Sequence, residues 1–323
     1  MPLPIADILT SPEHYLHSFD GDDALFVPMD RAAYRRSIFL DRRISSAASG
    51  TLRVPTWALA SLVAKPEPTG WIFHIAHCGS TLLARALGEL GENLVLREPL
   101  AMRQLALAPD PQRLATTLAL LARRFEPAAP TIVKANVPVN FMLGAVAGAD
   151  PTARAVLLYS ALDDYLPAIL RSPDHRAWVR AVTTQLAAHL GDLTSLSDAE
   201  RGAALWLAQM RHYAEALTLL PNARSLEAEA FLGRPRDNLA AAARHLGVST
   251  ETAKLDALVS GPLFATNSKN PAVAFDNVAR LARRGALAET LGDELAAARE
   301  WVARTAPDAA VLLAMLEGVA LAP

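Results

Sequence analysis

From residue 70 onward, short apolar runs alternate with amphipathic stretches, and this alternation leaves few architectures open. Trp71-Ile72-Phe73-His74-Ile75-Ala76 is mostly apolar at every position and reads as a strand buried on both faces. It follows Lys65-Pro66-Glu67-Pro68-Thr69-Gly70, where two prolines and a glycine exclude a helix or central strand and mark a boundary. After a turn over His77–Ser80, Thr81–Leu90 carries apolar residues at helical spacing and stops at Gly91. The alternation then recurs. Strands are expected at Leu94–Leu96, Thr131–Val133, Ala153–Tyr159 and Ala223–Leu226. Helices are expected at Asp110–Arg124, Val139–Ala147, Asp163–Arg171 and Arg236–Leu246, the last ending at Gly247. Such a series predicts an α/β fold with a mainly parallel sheet flanked by helices. A helical insert, about His175 to Leu220, separates the fourth and fifth strands, and the region from Asn277 on is helical. Residues 1–65 are less regular and are expected to pack on a core domain formed by residues 66–323.

Composition narrows the function classes. A chain of 323 residues buries roughly three quarters of its extended surface and needs no disulfide staples. The lone Cys78 excludes an intramolecular disulfide and a cysteine-based zinc site. Net charge is -2 and pI about 6.5, which argues against general nucleic-acid binding. The positive mean hydropathy comes from 64 alanines. No uncharged apolar run approaches the ~20 residues of a membrane span, the best being Ala309–Ala322 interrupted by Glu317. With no signal peptide in evidence, a soluble cytoplasmic protein is expected. Of 31 basic residues only Lys65, Lys134, Lys254 and Lys269 are lysine, so each lysine invites a question about its role. An arginine cluster at Arg31, Arg35, Arg36, Arg42 and Arg43 reads as a solvated face before a binding patch.

The turn Ala76-His77-Cys78-Gly79-Ser80-Thr81 sits at the carboxyl end of a parallel strand and opens a helix, where doubly wound sheets bind ligands. Its N–H groups suit a phosphate or sulfate, Gly79 lets the backbone approach closely, and Ser80 and Thr81 add hydroxyls. A Walker loop requires G-x-x-x-x-G-K-[ST], but His74 and Ser80 occupy the first-glycine and lysine positions. No carboxylate follows the Thr131–Val133 strand to hold the magnesium ion of a P-loop kinase. His77-Cys78 with Arg85 approximates the H-C-x5-R loop of cysteine phosphatases, with one residue too many, which turns Arg85 by about 100° on the helix. A thiolate there would have a lowered pKa.

A third chemistry is carried by a resemblance. The stretch from Phe73 to Leu83 resembles the 5′-phosphosulfate loop of sulfotransferases, P-loop α/β enzymes whose donor is 3′-phosphoadenosine 5′-phosphosulfate (PAPS). Leu96-Arg97-Glu98-Pro99 is similar to that family's R-E-P segment and Ile132-Val133-Lys134 to its third-strand segment. Val156–Leu166 is similar to its L-x-R-D-P-R-D-V-L segment. Leu226–Pro235 retains Glu229 and Pro235 of a Y-E-D-L-x-x-D-P segment, and Phe264–Asp276 resembles a late phosphate-contacting loop. The likeness spans about residues 70–276, as in a divergent bacterial-type member.

The resemblance implies transfer of a sulfuryl group from PAPS to a hydroxyl or amine, with no metal. His77, Cys78, Gly79, Ser80 and Thr81 would hold the 5′-phosphate. Protonated His77 would replace the loop's usual basic residue and stabilise the leaving oxygen, and Glu98 would be the base. Arg97 and Lys134 would contact the donor. The residues holding the 3′-phosphate fall near Ser160 and Ala168, so the usual arginine is missing and a serine hydroxyl is lost. Arg171 and Lys269 are the candidates for replacement charge. Ala228 and Ala230 replace the tyrosine and aspartate of the Y-E-D-L segment. These departures keep open a non-catalytic descendant that binds a nucleotide or anion. The acceptor and oligomeric state are not legible.

Overall fold

The computed structural model describes residues 5–60 and 67–321. The boundary residues Lys65 and Pro66 lie outside them. The strands, in chain order, are β1 (His14–Asp20), β2 (Asp23–Pro28), β3 (Leu52–Pro55), β4 (Thr69–His74), β5 (Leu94–Arg97), β6 (Thr131–Lys134), β7 (Arg154–Tyr159), β8 (Ala223–Glu227), β9 (Thr266–Asn267) and β10 (Asn270–Ala274).

The central sheet is parallel in the order β5-β6-β4-β7-β8. Trp71 of β4 pairs with Val133 on one side and Ala155 on the other. β4, β5 and β6 are buried at every position, as their uninterrupted apolar runs require. Because β6 and β7 flank β4, the chain switches direction across the sheet there, and a crevice opens at the carboxyl ends of these strands. The open edge at β8 is covered by the C-terminal segment. Ser225 N–H donates to Val319 O, and Leu321 N–H donates back to Ser225 O.

The expected helices are present with shifted ends. Helix Pro111–Leu121 stops before Arg123, whose buried guanidinium donates to the carbonyls of Leu120, Ile8 and Ser11. The helix expected over Val139–Ala147 starts as a 3-10 stretch, Val137–Met142, before Leu143–Ala149, with Pro138 in its first turn. The insert consists of Pro173–Gln185, Ala187–Leu190 and Asp198–Leu219, the last opened by a Ser197–Glu200 capping box. Gly247 ends helix Pro235–Leu246 in the left-handed conformation.

The N-terminal region is more ordered than its sequence pattern implied. β1, β2 and β3 form an antiparallel sheet. Asp20-Gly21, with Gly21 at φ 57°, is a hairpin signal in the sequence. This region docks through β5: Leu40 N–H donates to Arg97 O, and Gln104 exchanges hydrogen bonds with the Phe19 backbone.

Candidate functional site

The crevice encloses about 630 Å³. Its floor is the loop after β4 together with the residues just past β5, β6 and β7. Gly79 caps helix Ser80–Leu90 with φ 80° and no side-chain hydrogen bond, so the first N–H groups of the helix lack an intrahelical partner. A Cβ there would sit 3.4 Å from the Phe231 ring. Among the described residues, non-glycine positive φ occurs at Ala76 (72°), His77 (51°) and Glu98 (58°). All three line the crevice. Each costs on the order of 1–3 kcal/mol, and such strain clusters at functional sites.

Ser80 and Thr81 are buried against the crevice, and Thr81 Oγ1 has no hydrogen-bond partner. Cys78 also lines it, but the residue is 1 % exposed and burial pushes its thiol pKa up. That corrects the lowered pKa expected of a phosphatase thiolate: the helix N-terminus does not offset desolvation.

Glu98, the first residue past β5, is tied to two neighbours. Its Oε1 accepts a hydrogen bond from Lys134 Nζ and lies 3.6 Å from His74 Nε2. Lys134 Nζ is 3.0 Å from His74 Nε2. Ala76 N–H donates to His74 Nδ1, which leaves the ring proton on Nε2, directed at Glu98 Oε1 with the second donor Lys134 Nζ alongside. Burial opposes ionisation of Glu98, but Lys134 and His74 outweigh it and hold the carboxyl well below the usual carboxylate range. Burial and Lys134 press His74 down to about 4, so its ring is neutral at neutral pH. Lys134 is fully buried behind Glu98 and does not line the crevice, which corrects its expected place among the donor-contacting residues.

Arg97 needs a second correction. Its side chain leaves the crevice, and its guanidinium donates to the carbonyls of Tyr34, Arg35, Ser37 and Ile38. β5 ends at Arg97, and the left-handed backbone of Glu98 (φ 58°) turns the next side chain into the crevice instead.

His77 packs between His175 and Trp178, at ring-centroid distances of 4.9 and 5.6 Å. Burial, then Lys269 and Arg171, hold its pKa well below the ordinary histidine value. The protonated His77 expected from the sequence is therefore opposed by the cations around it. Those cations carry the charge instead. Arg171, at the end of helix Leu162–Leu170, donates from Nε to His175 Nε2 at 2.8 Å. Lys269 lies in the turn between β9 and β10, whose Ser268 carbonyl accepts from Arg85 Nη1. Its backbone is anchored by Asn267 Oδ1, and burial and Lys134 lower its pKa. Ser160, past β7, is buried at the crevice, and its carbonyl accepts from Trp206 Nε1.

The structure adds residues that the sequence reading missed. Helix Asn277–Thr290 lies along the crevice. Arg280 grips Glu229 through both guanidinium nitrogens at 2.7 and 2.6 Å, and Arg284 pairs with Asp164 and Glu229 at 2.6 and 2.9 Å. Arg283 lines the crevice near enough to Arg171 to depress its pKa. Among the described residues, no carboxylate lies within ion-pairing distance of Arg171, Lys269 or Arg283. His74 had a signal, a polar residue inside an apolar strand. Arg283 had none, because arginine is abundant along an Ala-rich helix.

No protein-family model matches the chain, and no curated protein does. Two solved structures are similar to it. One is a sulfotransferase from Alicyclobacillus acidocaldarius, 16% identical, with a TM-score of 0.44 over 78% of this chain and 96% of that one. The other is the sulfotransferase domain from the curacin biosynthetic pathway, 10% identical, with a TM-score of 0.42 over 70% of this chain and 98% of that one. At those scores neither likeness carries an argument about activity. Among the described residues no helix is long and apolar enough to cross a membrane, and no cluster of His, Cys, Asp and Glu has the makings of a metal site.

Proposed function

We propose that this crevice binds PAPS and transfers its sulfuryl group to a hydroxyl or amine. The observation that carries the reading is the unpaired cation set, Arg171, Lys269 and Arg283, facing an uncapped helix N-terminus with an ionised Glu98 on the same floor. An anion with several charges offsets the mutual repulsion of those cations, and Thr81 Oγ1 gains a partner. Arg171 lies one helical turn beyond Ala168, on the same face, so it brings a cation next to the position where the resemblance expects the phosphate-binding serine.

PAPS would supply a sulfuryl group already activated on a phosphate. The chain's own residues do the rest. The N–H groups of Gly79, Ser80 and Thr81 with the Thr81 hydroxyl bind the 5′-phosphate oxygens. Lys269 and Arg171 stabilise negative charge that develops on the leaving oxygen and hold the 3′-phosphate. His77, neutral, supports the site as a packed ring and single N–H donor. Glu98 accepts the acceptor's proton at Oε2, since Oε1 is taken by Lys134.

One observation favours the alternative of binding without catalysis. The same contacts that keep Glu98 ionised make it a weak base. Calorimetry with 3′-phosphoadenosine 5′-phosphate, the spent donor, together with sulfuryl-transfer assays, separates these readings. We expect binding, weakened roughly 10- to 150-fold in Lys269→Ala by loss of a charge-assisted contact. No binding to the wild type would overturn both the donor assignment and the enzyme. Binding with no transfer to any hydroxyl or amine would select the non-catalytic reading.

A further inference from the structure

The donor-side cations account for one end of the crevice, but a second cationic site lies at the other end. Helix Pro173–Gln185 forms one wall. His175, Trp178 and Val182 fall on a single face and line the cavity in that order. At about 1.5 Å per residue, the wall runs about 15 Å from His175, beside Arg171, to Gln185. There Gln185 Oε1 accepts a hydrogen bond from Arg103 Nη2 at 2.7 Å. Arg103 lies on helix Leu100–Leu107, which begins just after Glu98, and it lines the same cavity. Among the described residues it has no carboxylate partner. Gln185 engages one nitrogen of the fork and leaves the charge uncompensated.

The Arg103–Gln185 contact is exposed to solvent, and apolar side chains line the crevice between it and Glu98. Phe39 lies with its ring 5.7 Å from Lys134 Nζ, hence beside Glu98, and Arg43 stacks on that ring at 4.0 Å. Arg43 is largely neutralised by Asp41, which takes its Nε and Nη2. Val137 and Val182 complete the apolar lining. A single uncompensated guanidinium fork at the solvent-exposed mouth of a partly apolar crevice suits one planar, singly charged group on an apolar body. A phosphate dianion would require more charge than Arg103 alone supplies.

Resting on the sulfotransferase reading, we propose that the acceptor is a hydroxycarboxylate. Its carboxylate is held by Arg103, its apolar body lies between Phe39 and Val182, and its hydroxyl is presented to Glu98. Glu98 Oε2 takes the hydroxyl proton as the oxygen–sulfur bond to the acceptor forms and the bond from sulfur to the donor's phosphate oxygen breaks. The electron pair leaves with the spent donor.

The test uses the full chain with ω-hydroxy fatty acids and hydroxybenzoates, each beside its neutral primary amide. Transfer from PAPS and donor-free binding by calorimetry are both measured. We expect each acid that fits to exceed its amide by at least about 10-fold in kcat/KM and in affinity. Arg103→Gln should erase that preference, Arg103→Lys should keep part of it, and affinity for the spent donor should be unchanged in both. Melting temperatures report whether the variants fold. Amides as good as acids, or a preference that survives in folded Arg103→Gln, would overturn the proposal. If none of these acids or amides is sulfated while another hydroxyl or amine is, the hydroxycarboxylate assignment falls and the sulfotransferase reading stands; if no hydroxyl or amine is sulfated, that reading falls and donor-free binding decides whether Arg103 holds a carboxylate. Acids bound better than amides through Arg103 sustain the carboxylate site, and absence of that difference overturns it.

Discussion

At the scale of single residues, the floor of the crevice rests on three side chains from adjacent strand ends, His74, Lys134 and Glu98. They are packed so closely that each sets the charge state of another. This arrangement makes stability depend on pH. The folded His74 titrates at about 4 against an ordinary 6.5. Above pH 6.5 the ring is neutral whether the chain is folded or unfolded. Between 6.5 and 4 only the unfolded chain takes up the proton, so stability falls as pH drops through that window, by roughly 3 kcal/mol. Glu98 acts in the same direction at lower pH, since its depressed pKa contributes stability that is lost in acid below its ordinary value of 4.5. Urea unfolding at pH 7 and pH 5 should show about 2 kcal/mol of the His74 loss. His74→Asn, which can still accept from Ala76 N–H, should flatten part of it, leaving the share due to His77 and other buried rings. An identical pH slope in the variant would place the proton uptake elsewhere. Glu98 and Lys134 were legible in the sequence as polar residues at the ends of apolar runs. Their mutual contact was not, because it depends on β5 and β6 being neighbours.

At the scale of elements, local rules located most strands and helices and misjudged their ends. Apolar runs and caps are local properties, whereas a helix end such as that before Arg123 is decided by distant carbonyls. Packing also reverses a local preference at Gly202, inside helix Asp198–Leu219. A Cβ there would lie 2.7 Å from Ile169 Cδ1 and 3.1 Å from Leu166 Cδ2 on helix Leu162–Leu170. Helix propensity alone favours Gly202→Ala by about 1 kcal/mol, but overpacking between two buried faces costs about 1–3 kcal/mol. Both contacted side chains are fully buried and have little room to yield. We expect a lower melting temperature for Gly202→Ala. Arg171 follows helix Leu162–Leu170 directly, so weaker binding of the spent donor should accompany it. A raised melting temperature would mean that the helices separate without cost.

At the scale of the whole molecule, Arg97 joins the N-terminal region to the central sheet by donating to four backbone carbonyls around the end of helix Arg31–Arg36. Replacing it with methionine fills similar space and leaves the buried Tyr34 and Ser37 carbonyls without that donor. Each orphaned group costs about 1–3 kcal/mol, so Arg97→Met should destabilise the chain by about 3 kcal/mol or more in urea unfolding. A loss below about 1 kcal/mol would show that water replaces the guanidinium. The sequence by itself determined the parallel sheet, the helical insert, the anion-suited turn at Gly79 and the candidacy of Glu98. The first three follow from the period of apolar residues or from backbone freedom at one position, which neighbours in the chain suffice to set, and Glu98 follows from the resemblance of its segment to the sulfotransferase R-E-P. The tertiary structure alone decided that Arg97 is structural, that Lys134 is sealed behind Glu98, that His77 is kept neutral, and that Arg103 and Arg283 face the crevice. Those outcomes depend on which charges lie within a few ångströms and how much water reaches them, and residues far apart in the chain supply both.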